Sequence, residues 1–168
     1  NGGVVQTVAF SGYLNAEKNA QFNDARNNLI AKVAADLGVE VLSFSEIGAL
    51  TEAEEMVYRG LMDEVSALAA LRLDAEVNVI APPVDVVDFV NHIDYMVELI
   101  GLEHVGISSD FDGGGGISGW NSASETANVT LELVRRGYNE EQIGLLWSGN
   151  LLRVLDDVQR IAAEIQAE

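Results

Sequence analysis

The chain contains the sequence Gly106-Ile107-Ser108-Ser109-Asp110-Phe111-Asp112-Gly113-Gly114-Gly115-Gly116, in which a short apolar segment ends in two aspartates and four glycines. This change of composition is typical of a buried parallel strand that ends at a loop. In folds built on parallel strands, residues at the carboxyl ends of the strands form the functional sites. Asp110 is therefore the first candidate for a functional residue.

The composition indicates a single acidic domain. The chain has 168 residues, of which 48% are hydrophobic, so it can form one core. Lys and Arg number 9 against 27 Asp and Glu, which gives a formal net charge of −18. A surface this acidic repels the phosphates of nucleic acids and anionic lipids, so neither is an expected partner.

Several kinds of site and segment are absent from the sequence. There is no cysteine, which excludes disulfides, thiolate metal sites and a cysteine nucleophile. No apolar run is long enough to span a membrane, and no secretory signal pattern is visible. The sequence therefore predicts no membrane span and leaves the compartment open.

The pattern of apolar and turn residues predicts two strands joined by a long helical region. The strands are expected at residues 4–10 and 102–109. Thr51 and Glu54 form a capping box that opens one helix. Residues 39–49 are ambiguous, and 74–83 read as a connector. Helices are predicted at residues 16–37, 52–71, 86–100, 127–136, 139–147 and from 148 onward.

The helix periodicity predicts which faces are buried. The helix at 86–100 has an apolar stripe, and Asp85, Asp88 and His92 are expected on its opposite, polar face. The last helix is expected to turn five apolar residues towards the core, namely Leu151, Leu155, Val158, Ile161 and Ile165.

Two strands separated by a helical crossover favour an α/β fold of parallel β/α units. Two strands alone cannot form a stable parallel sheet, because such a sheet needs both faces and both edges covered. The chain also begins without Met, close to its first strand. We therefore expect a piece of a longer polypeptide that supplies the neighbouring strands.

A carboxylate at the end of a strand, such as Asp110, can act as a general base, bind a metal or anchor an amine. It can equally serve only to cap a turn. Tyr13 follows the first strand, so it should lie at the same end of the sheet and is a candidate for lining a substrate pocket. The two histidines, His92 and His104, are expected to be structural, and Trp120 and Trp147 are expected to be packing residues.

Two ligand motifs match the glycine-rich loop only weakly. Residues 114–119 fit the dinucleotide pattern G-x-G-x-x-G, but no apolar helix starts at its third glycine. Asp110 and Asp112 match the first positions of a calcium-binding loop, but position 12 is Asn121 rather than an acid. Neither motif predicts a site.

Five segments together carry a resemblance to a known family. They are the opening residues 1–10, His92-Ile-Asp-Tyr95, Gly101-Leu-Glu-His-Val-Gly-Ile-Ser-Ser-Asp-Phe-Asp-Gly113, Leu133-Val-Arg-Arg-Gly-Tyr138 and Gly149-Asn-Leu-Leu-Arg-Val154. They resemble the last two strands and the carboxyl-terminal tail of the membrane (renal) dipeptidase family of zinc peptidases. Residues 16–80 do not share the resemblance and are interpreted as a helical region inserted between those strands.

The resemblance implies that residues 1–168 are the carboxyl-terminal part of one (β/α)8 barrel domain, with a pair of Zn²⁺ ions at the carboxyl-end face. It implies hydrolysis of L-L and L-D dipeptides. The family's zinc ligands all lie upstream of the stretch matched here, so no metal ligand is expected in this chain. Alone, the chain is expected to be inactive. The expected partners are the amino-terminal part of the same barrel, a dipeptide and, as an option, a second copy in a homodimer.

The resemblance also implies roles for individual residues. Asp110 matches the family's last-strand aspartate, which implies a catalytic role in proton transfer and contact with the amino end of the substrate. Asn150 and Arg153 match the tail motif and are assigned to structure. Two alternatives stay open. The chain could be an inactive barrel fragment that serves as an interaction module, or part of another metal-dependent amidohydrolase in which Asp110 binds the metal directly.

Overall fold

The computed structural model describes residues 2–167. The chain forms two compact units. The first comprises the chain up to Ala16 together with the chain from Val84 onward, and the second comprises Glu17–Pro83. The elements in chain order are β1 (Val5–Val8), α1 (Ser11–Leu14), α2 (Ala16–Asp36), α3 (Phe44–Ile47), α4 (Glu52–Leu73), α5 (Val86–Ile100), β2 (Val105–Ser108), α6 (Thr126–Arg135), α7 (Glu140–Gly144) and α8 (Asn150–Gln166).

The two strands pair in parallel, as predicted from the sequence. The register places Val5 opposite Val105 and Val8 opposite Ser108. Both strands are shorter than expected. Residues 102–104 form a 3-10 turn instead of strand, because Gly101 ends α5 with a φ of 90° and its carbonyl accepts a hydrogen bond from the His104 amide.

The core of the first unit forms where α5 packs close to the sheet. Phe89, Val90 and Ile93 of α5 are fully buried, which confirms the apolar stripe predicted for this helix. Trp120 is also buried, and its ring lies 5.1 Å from the ring of Phe89 and 5.9 Å from that of Trp147. Both tryptophans are therefore packing residues, as the sequence predicted.

Two polar side chains of α8 fasten the amino ends of the strands. Asn150 is 1% exposed, and its amide donates to the carbonyls of Leu102 and Val105 at 2.7 and 2.8 Å. Arg153 donates to the carbonyls of Gly2 and Glu103 at 3.0 and 2.9 Å. These contacts satisfy backbone groups at the end of the sheet opposite Asp110, and they agree with the structural role predicted for Asn150 and Arg153.

A charged network joins α5 to α6 and the turn after it. Arg136 donates to Glu132 at 3.0 Å and to Asp94 at 2.6 Å, and Tyr138 donates its hydroxyl to Asp94 at 2.7 Å. Burial alone would lower the pKa of Arg136, but its hydrogen bonds to the two carboxylates raise the pKa overall. Burial, followed by the bond to Asp94, raises the pKa of the Tyr138 hydroxyl, so this group stays protonated and donating.

The start of α5 differs from the expectation of an open polar face. Asp88 is only 8% exposed, because its carboxylate accepts hydrogen bonds from the Asp85 amide and the Asn15 side chain, each at 3.1 Å. Asp85 caps the helix by accepting from the Val87 amide at 2.8 Å. The exposed position predicted for Asp88 is therefore wrong, since the segment that contains Asn15 packs against this carboxylate.

The position of α8 also differs from the expectation. Its five apolar residues are not turned towards the core but are 45% to 66% exposed: Leu151, Leu155, Val158, Ile161 and Ile165. Within residues 2–167, nothing covers this stripe enough to bury it. The amphipathic pattern predicts a face that needs a partner, and the partner does not lie in the described part of the chain.

The second unit is built mainly from α2 and α4. A core of buried apolar residues forms between them: Leu29, Val33, Ala34, Val65, Ala69 and Val77. The predicted capping box of α4 is confirmed, since the Thr51 hydroxyl accepts from the Glu54 amide and the Glu54 carboxylate accepts from the Thr51 amide. The Thr51 hydroxyl also donates to the Glu54 carboxylate, at 2.6 Å. This bond and, after it, the bond from the Thr51 amide lower the pKa of Glu54.

Two segments of the second unit are more helical than the sequence predicted. The ambiguous residues 39–49 contain α3, which Ser43 opens with a capping box of its own. The expected connector at 74–83 begins with a π-helical turn, Asp74–Asn78, which continues α4. Arg72 supports this turn by pairing with Glu76 at 2.7 Å. Within residues 2–167, no helix has both the length and the hydropathy needed to cross a bilayer.

We predict that Asn150→Ala destabilises the intact protein by about 1–3 kcal/mol, because the carbonyls of Leu102 and Val105 each lose the hydrogen bond from this buried amide. Urea unfolding followed by circular dichroism would measure the change. Asn128→Ala is the control, since Asn128 also donates to a carbonyl, that of Gly119 at 2.8 Å, but at the exposed surface. Its cost should be about 0.5 kcal/mol or less. Equal costs for the two variants would contradict the role given to Asn150.

Candidate active site

The carboxyl ends of β1 and β2 lie side by side. Val8 pairs with Ser108, and the hydrogen bonding continues one residue further, where the Ala9 amide donates to the Ser108 carbonyl at 3.1 Å. The segments that follow the two strands therefore start from the same edge of the sheet. The two residues selected from the sequence, Tyr13 and Asp110, both lie in the segments that follow these strand ends.

Asp110 adopts a left-handed backbone conformation, with φ 55° and ψ 34°. Among residues 2–167 it is the only residue other than glycine with a positive φ. Aspartate is one of the few side chains that tolerate this region. The Asp110 carbonyl accepts hydrogen bonds from the amides of Gly113 and Gly115, at 3.0 and 2.7 Å. The chain therefore turns sharply at Asp110 instead of extending β2.

The turn is attached to the end of the neighbouring strand. The Gly116 amide donates to the Ala9 carbonyl at 2.8 Å. Gly114, with φ 101°, lies against the ring of Phe10, and a Cβ atom on Gly114 would be 3.4 Å from that ring. The glycine-rich loop is thus packed against the segment that follows β1 and does not extend freely into solvent.

Gly115 is required by close packing of the loop on itself. A Cβ atom at this position would overlap the Ser109 carbonyl oxygen and would lie 2.8 Å from both the Cβ and the carbonyl oxygen of Asp110. Most of these contacts are with backbone, which cannot move aside without distorting the end of β2. A glycine at 115 therefore fixes the path of the chain around Asp110.

Asp110 itself is exposed at this edge. An ionised carboxylate has two acceptor oxygens, which can receive a proton or bind a protonated amine. The burial of the residues just before it, Val105 to Ile107, holds the backbone while the side chain stays accessible. The arrangement suits a group that must reach a ligand from a rigid support.

Tyr13 lies on α1, the short helix directly after β1. Its side chain is 73% exposed, and its ring packs on Phe10 with the centroids 5.0 Å apart and the planes inclined by 31°. The Tyr13 amide donates to the Phe10 carbonyl at 2.9 Å. One face of the tyrosine is therefore supported, and the rest is available at the edge that carries Asp110.

Two residues at this edge were not selected from the sequence. Phe10 supports Tyr13 on one side and meets Gly114 on the other. Asn15 donates to the buried carboxylate of Asp88, which ties the segment after β1 to the start of α5. Both residues follow the end of β1 within a few positions. This position after a strand is the feature of the sequence that could have identified them.

The described residues do not form a metal site. Within residues 2–167, no group of three or more His, Cys, Asp or Glu side chains is arranged to hold a metal ion. His104 instead bonds through Nδ1 to the Gly3 carbonyl at 2.7 Å, which agrees with its predicted structural role. Neither the zinc pair implied by the family resemblance nor a calcium loop finds its ligands in this part of the chain.

Comparison with known proteins identifies relatives of this chain. A model of the membrane dipeptidase family (peptidase family M19) matches residues 1–168. Dipeptidase ataJ of Aspergillus terreus is 44% identical over 80 residues, which cover 47% of this chain and 20% of that protein. Dipeptidase aclJ of Aspergillus oryzae is 39% identical over 79 residues, which cover 46% of this chain and 19% of that protein. The matches thus span about a fifth of the length of these curated relatives.

A solved structure shares the fold. The crystal structure of the probable dipeptidase PvdM from Pseudomonas aeruginosa aligns with a TM-score of 0.57 and 32% sequence identity. The alignment covers 95% of this chain and 38% of the PvdM chain. The small parallel sheet and its helices therefore have a counterpart in a larger protein.

We predict that Gly115→Ala destabilises the intact protein by about 1–3 kcal/mol, because the added methyl group overlaps backbone atoms. Thermal unfolding would measure the change. Gly144→Ala is the matched control: Gly144 lies on α7 with no neighbouring atom within 4 Å of the added Cβ, so alanine should be neutral or stabilising by about 0.5–1 kcal/mol. A Gly115→Ala variant as stable as the control would show that the loop path is not constrained.

Proposed function

The chain belongs to the membrane dipeptidase family, and we propose that it carries the last two strands of a (β/α)8 barrel that hydrolyses dipeptides, both L-L and L-D. The dipeptidase names of the relatives and the parallel sheet support this function. The observation that carries the proposal is the exposed carboxylate of Asp110, which a sharp turn holds at the carboxyl-end edge of the sheet. In barrel enzymes, that edge is where the chemistry takes place.

The pairing of the sheet supports the barrel. Within residues 2–167, β1 and β2 form a sheet of two strands, with β1 paired only to β2. Parallel strands are stable when both their faces and their edges are covered. We propose that strands from the amino-terminal part of the same barrel lie against the free edges of β1 and β2.

The exposed apolar stripe of α8 also supports the proposal that the amino-terminal part of the barrel packs against this chain. Leu151, Leu155 and Val158 lie along one side of the helix and are about half exposed. The opposite side carries charged residues, including Arg153, Asp157 and Arg160. A helix with this division of surface packs its apolar side on another element. We propose that the amino-terminal part of the barrel covers it, and a second copy in a homodimer is the alternative.

We propose that Asp110 moves the proton of the reaction. Hydrolysis adds the oxygen of a water molecule to the peptide carbonyl carbon and breaks the bond from that carbon to the amide nitrogen. The Asp110 carboxylate would accept a proton as the oxygen attacks, and would then donate it to the nitrogen that leaves as an amine. Before the first step, while it is still ionised, the carboxylate can also hold the protonated amino end of the dipeptide.

Tyr13 is proposed to contact the substrate. Its ring is fixed on one side by Phe10 and exposed on the other, at the same edge as Asp110. An aromatic surface of this kind gives a small peptide an apolar contact at low cost in side-chain entropy. Tyr13 would therefore contribute to affinity for the dipeptide more than to the chemical step.

The zinc pair of the proposed enzyme is expected to be held by residues outside this chain. No suitable cluster occurs within residues 2–167. The chain taken alone is therefore proposed to be inactive, and activity is expected only when it is part of the complete barrel. The proposed substrates, zinc dependence and acceptance of a D-residue all refer to that complete enzyme.

The exposed stripe of α8 also suits a second function. An apolar helix face that no described residue covers is what an interaction module presents, and such a module needs no metal. A third candidate, another metal-dependent amidohydrolase, differs in that Asp110 would bind the metal. Assays of L-L and L-D dipeptides against cyclic amides would separate these candidates, since the module hydrolyses neither class.

We predict that Asp110→Asn lowers kcat/KM for dipeptides by about 10²–10⁴-fold in the complete enzyme, because the amide cannot accept the proton. The control is Asp112→Asn, which removes a second exposed carboxylate from the same loop and should change turnover little. Zinc content is measured alongside. Near-normal turnover of Asp110→Asn would contradict the proton-transfer role, and loss of bound zinc in this variant would favour the amidohydrolase.

We predict that Leu155→Gln destabilises the complete enzyme by about 1.5–3 kcal/mol, because the rest of the barrel buries this side chain. The matched control is Asp156→Asn on the charged side of α8, with an expected change of about 0.5 kcal/mol or less. Chemical unfolding measures both variants. If Leu155→Gln is as mild as the control, α8 is not covered by the barrel. A change in the sedimentation coefficient with stability unchanged would indicate a second copy instead.

A further inference from the structure

We infer that Gly113 is a positioning residue for Asp110, because the absence of a side chain at 113 provides the space in which the Asp110 carboxylate lies. The inference rests on the proposed function, in which this carboxylate transfers the proton. It adds a second residue of the same loop, which acts on the reaction only through Asp110.

The contacts between the two residues are specific to the carboxylate. A Cβ atom built on Gly113 would overlap Oδ1 of Asp110, and it would lie 2.8 Å from Cγ and 3.0 Å from Oδ2. Oδ1 and Cγ are closer than a methyl group allows, and Oδ2 is in tight contact. The Asp110 side chain is therefore folded back over the Gly113 backbone, and its orientation depends on that position being empty.

The backbone of the turn produces this orientation. The left-handed conformation of Asp110 and the hydrogen bond from the Gly113 amide to the Asp110 carbonyl, 3.0 Å long, close the 3-10 turn Phe111–Gly113. The same closure brings the carboxylate over Gly113. Gly113 itself does not have a φ in the left-handed region, so an alanine at 113 can adopt this backbone.

A methyl group at 113 should therefore move the carboxylate and leave the fold intact. Asp110 is exposed, so its carboxyl group can rotate away into solvent. At Gly115, by contrast, the added group meets backbone atoms and the loop itself must shift. Alanine at 113 is therefore expected to change the orientation of Asp110, whereas alanine at 115 is expected to change the stability of the loop. Comparing the two variants distinguishes these effects.

The expected effect on catalysis follows from geometry. A general base must be within hydrogen-bond distance of the proton that it takes. Displacement of a catalytic group by about 1 Å can cost on the order of 10²-fold in rate. We expect Gly113→Ala to lower kcat/KM for a dipeptide by at least about 10-fold, with a melting temperature close to that of the unchanged enzyme.

The test is a double-variant cycle in the complete zinc-loaded enzyme with L-L and L-D dipeptides as substrates. Gly113→Ala, Asp110→Asn and the combined variant are compared with Gly144→Ala, which adds a methyl group in open space and should leave turnover unchanged. If Gly113 acts through Asp110, the alanine causes no further loss in the Asp110→Asn background. A merely structural role would give losses that multiply and a lower melting temperature.

Each outcome bears on one claim. If Asp110→Asn is impaired and Gly113→Ala is not, the positioning role is wrong and the proposed function stands. If Asp110→Asn retains normal turnover, the proposed role of Asp110 is wrong. Where the combined variant is too slow to measure, a crystal structure of Gly113→Ala decides the point. A carboxylate rotated away over an unchanged loop supports the inference, and one in its original place overturns it.

Discussion

The parallel pairing of β1 with β2 is the constraint on which the candidate site depends. This pairing places the segments that follow both strands at one edge, and the bond from Ala9 to Ser108 extends the alignment beyond the strands. At the other end, Asn150 and Arg153 of α8 donate to backbone carbonyls at and just before the starts of the strands. The sheet is thus fastened at one end and open at the other, which suits a rigid support for exposed groups.

Polar side chains hold the helices around this sheet. Arg136 bridges Glu132 on α6 and Asp94 on α5, and the inward carboxylate of Asp88 joins the start of α5 to the segment after β1. Such groups stabilise a structure only when their partners are in place, because a buried charge without a partner is costly. These hydrogen-bonded charged side chains therefore favour one arrangement of the helices over others, in addition to any stability that they contribute.

The features predicted most accurately from the sequence are local ones. The start of α4 at Thr51 was visible because a capping box requires only residues three apart. The burial of Asp88 was not visible, because it depends on Asn15, which lies 73 residues away. The exposure of α8 was missed for a related reason: periodicity shows which side of a helix is apolar but not whether a partner covers it.

The sequence by itself determined the two strands, most of the helices and the position of Asp110 after the second strand, since composition and short-range spacing encode these features. It also carried the family resemblance. Only the tertiary structure decided the left-handed turn at Asp110, the contact of its carboxylate with Gly113 and the hydrogen bond from Gly116 to Ala9 that attaches the loop to the neighbouring strand. These depend on how the backbone folds back and on which strands become neighbours, and residue types along the chain do not specify such distances.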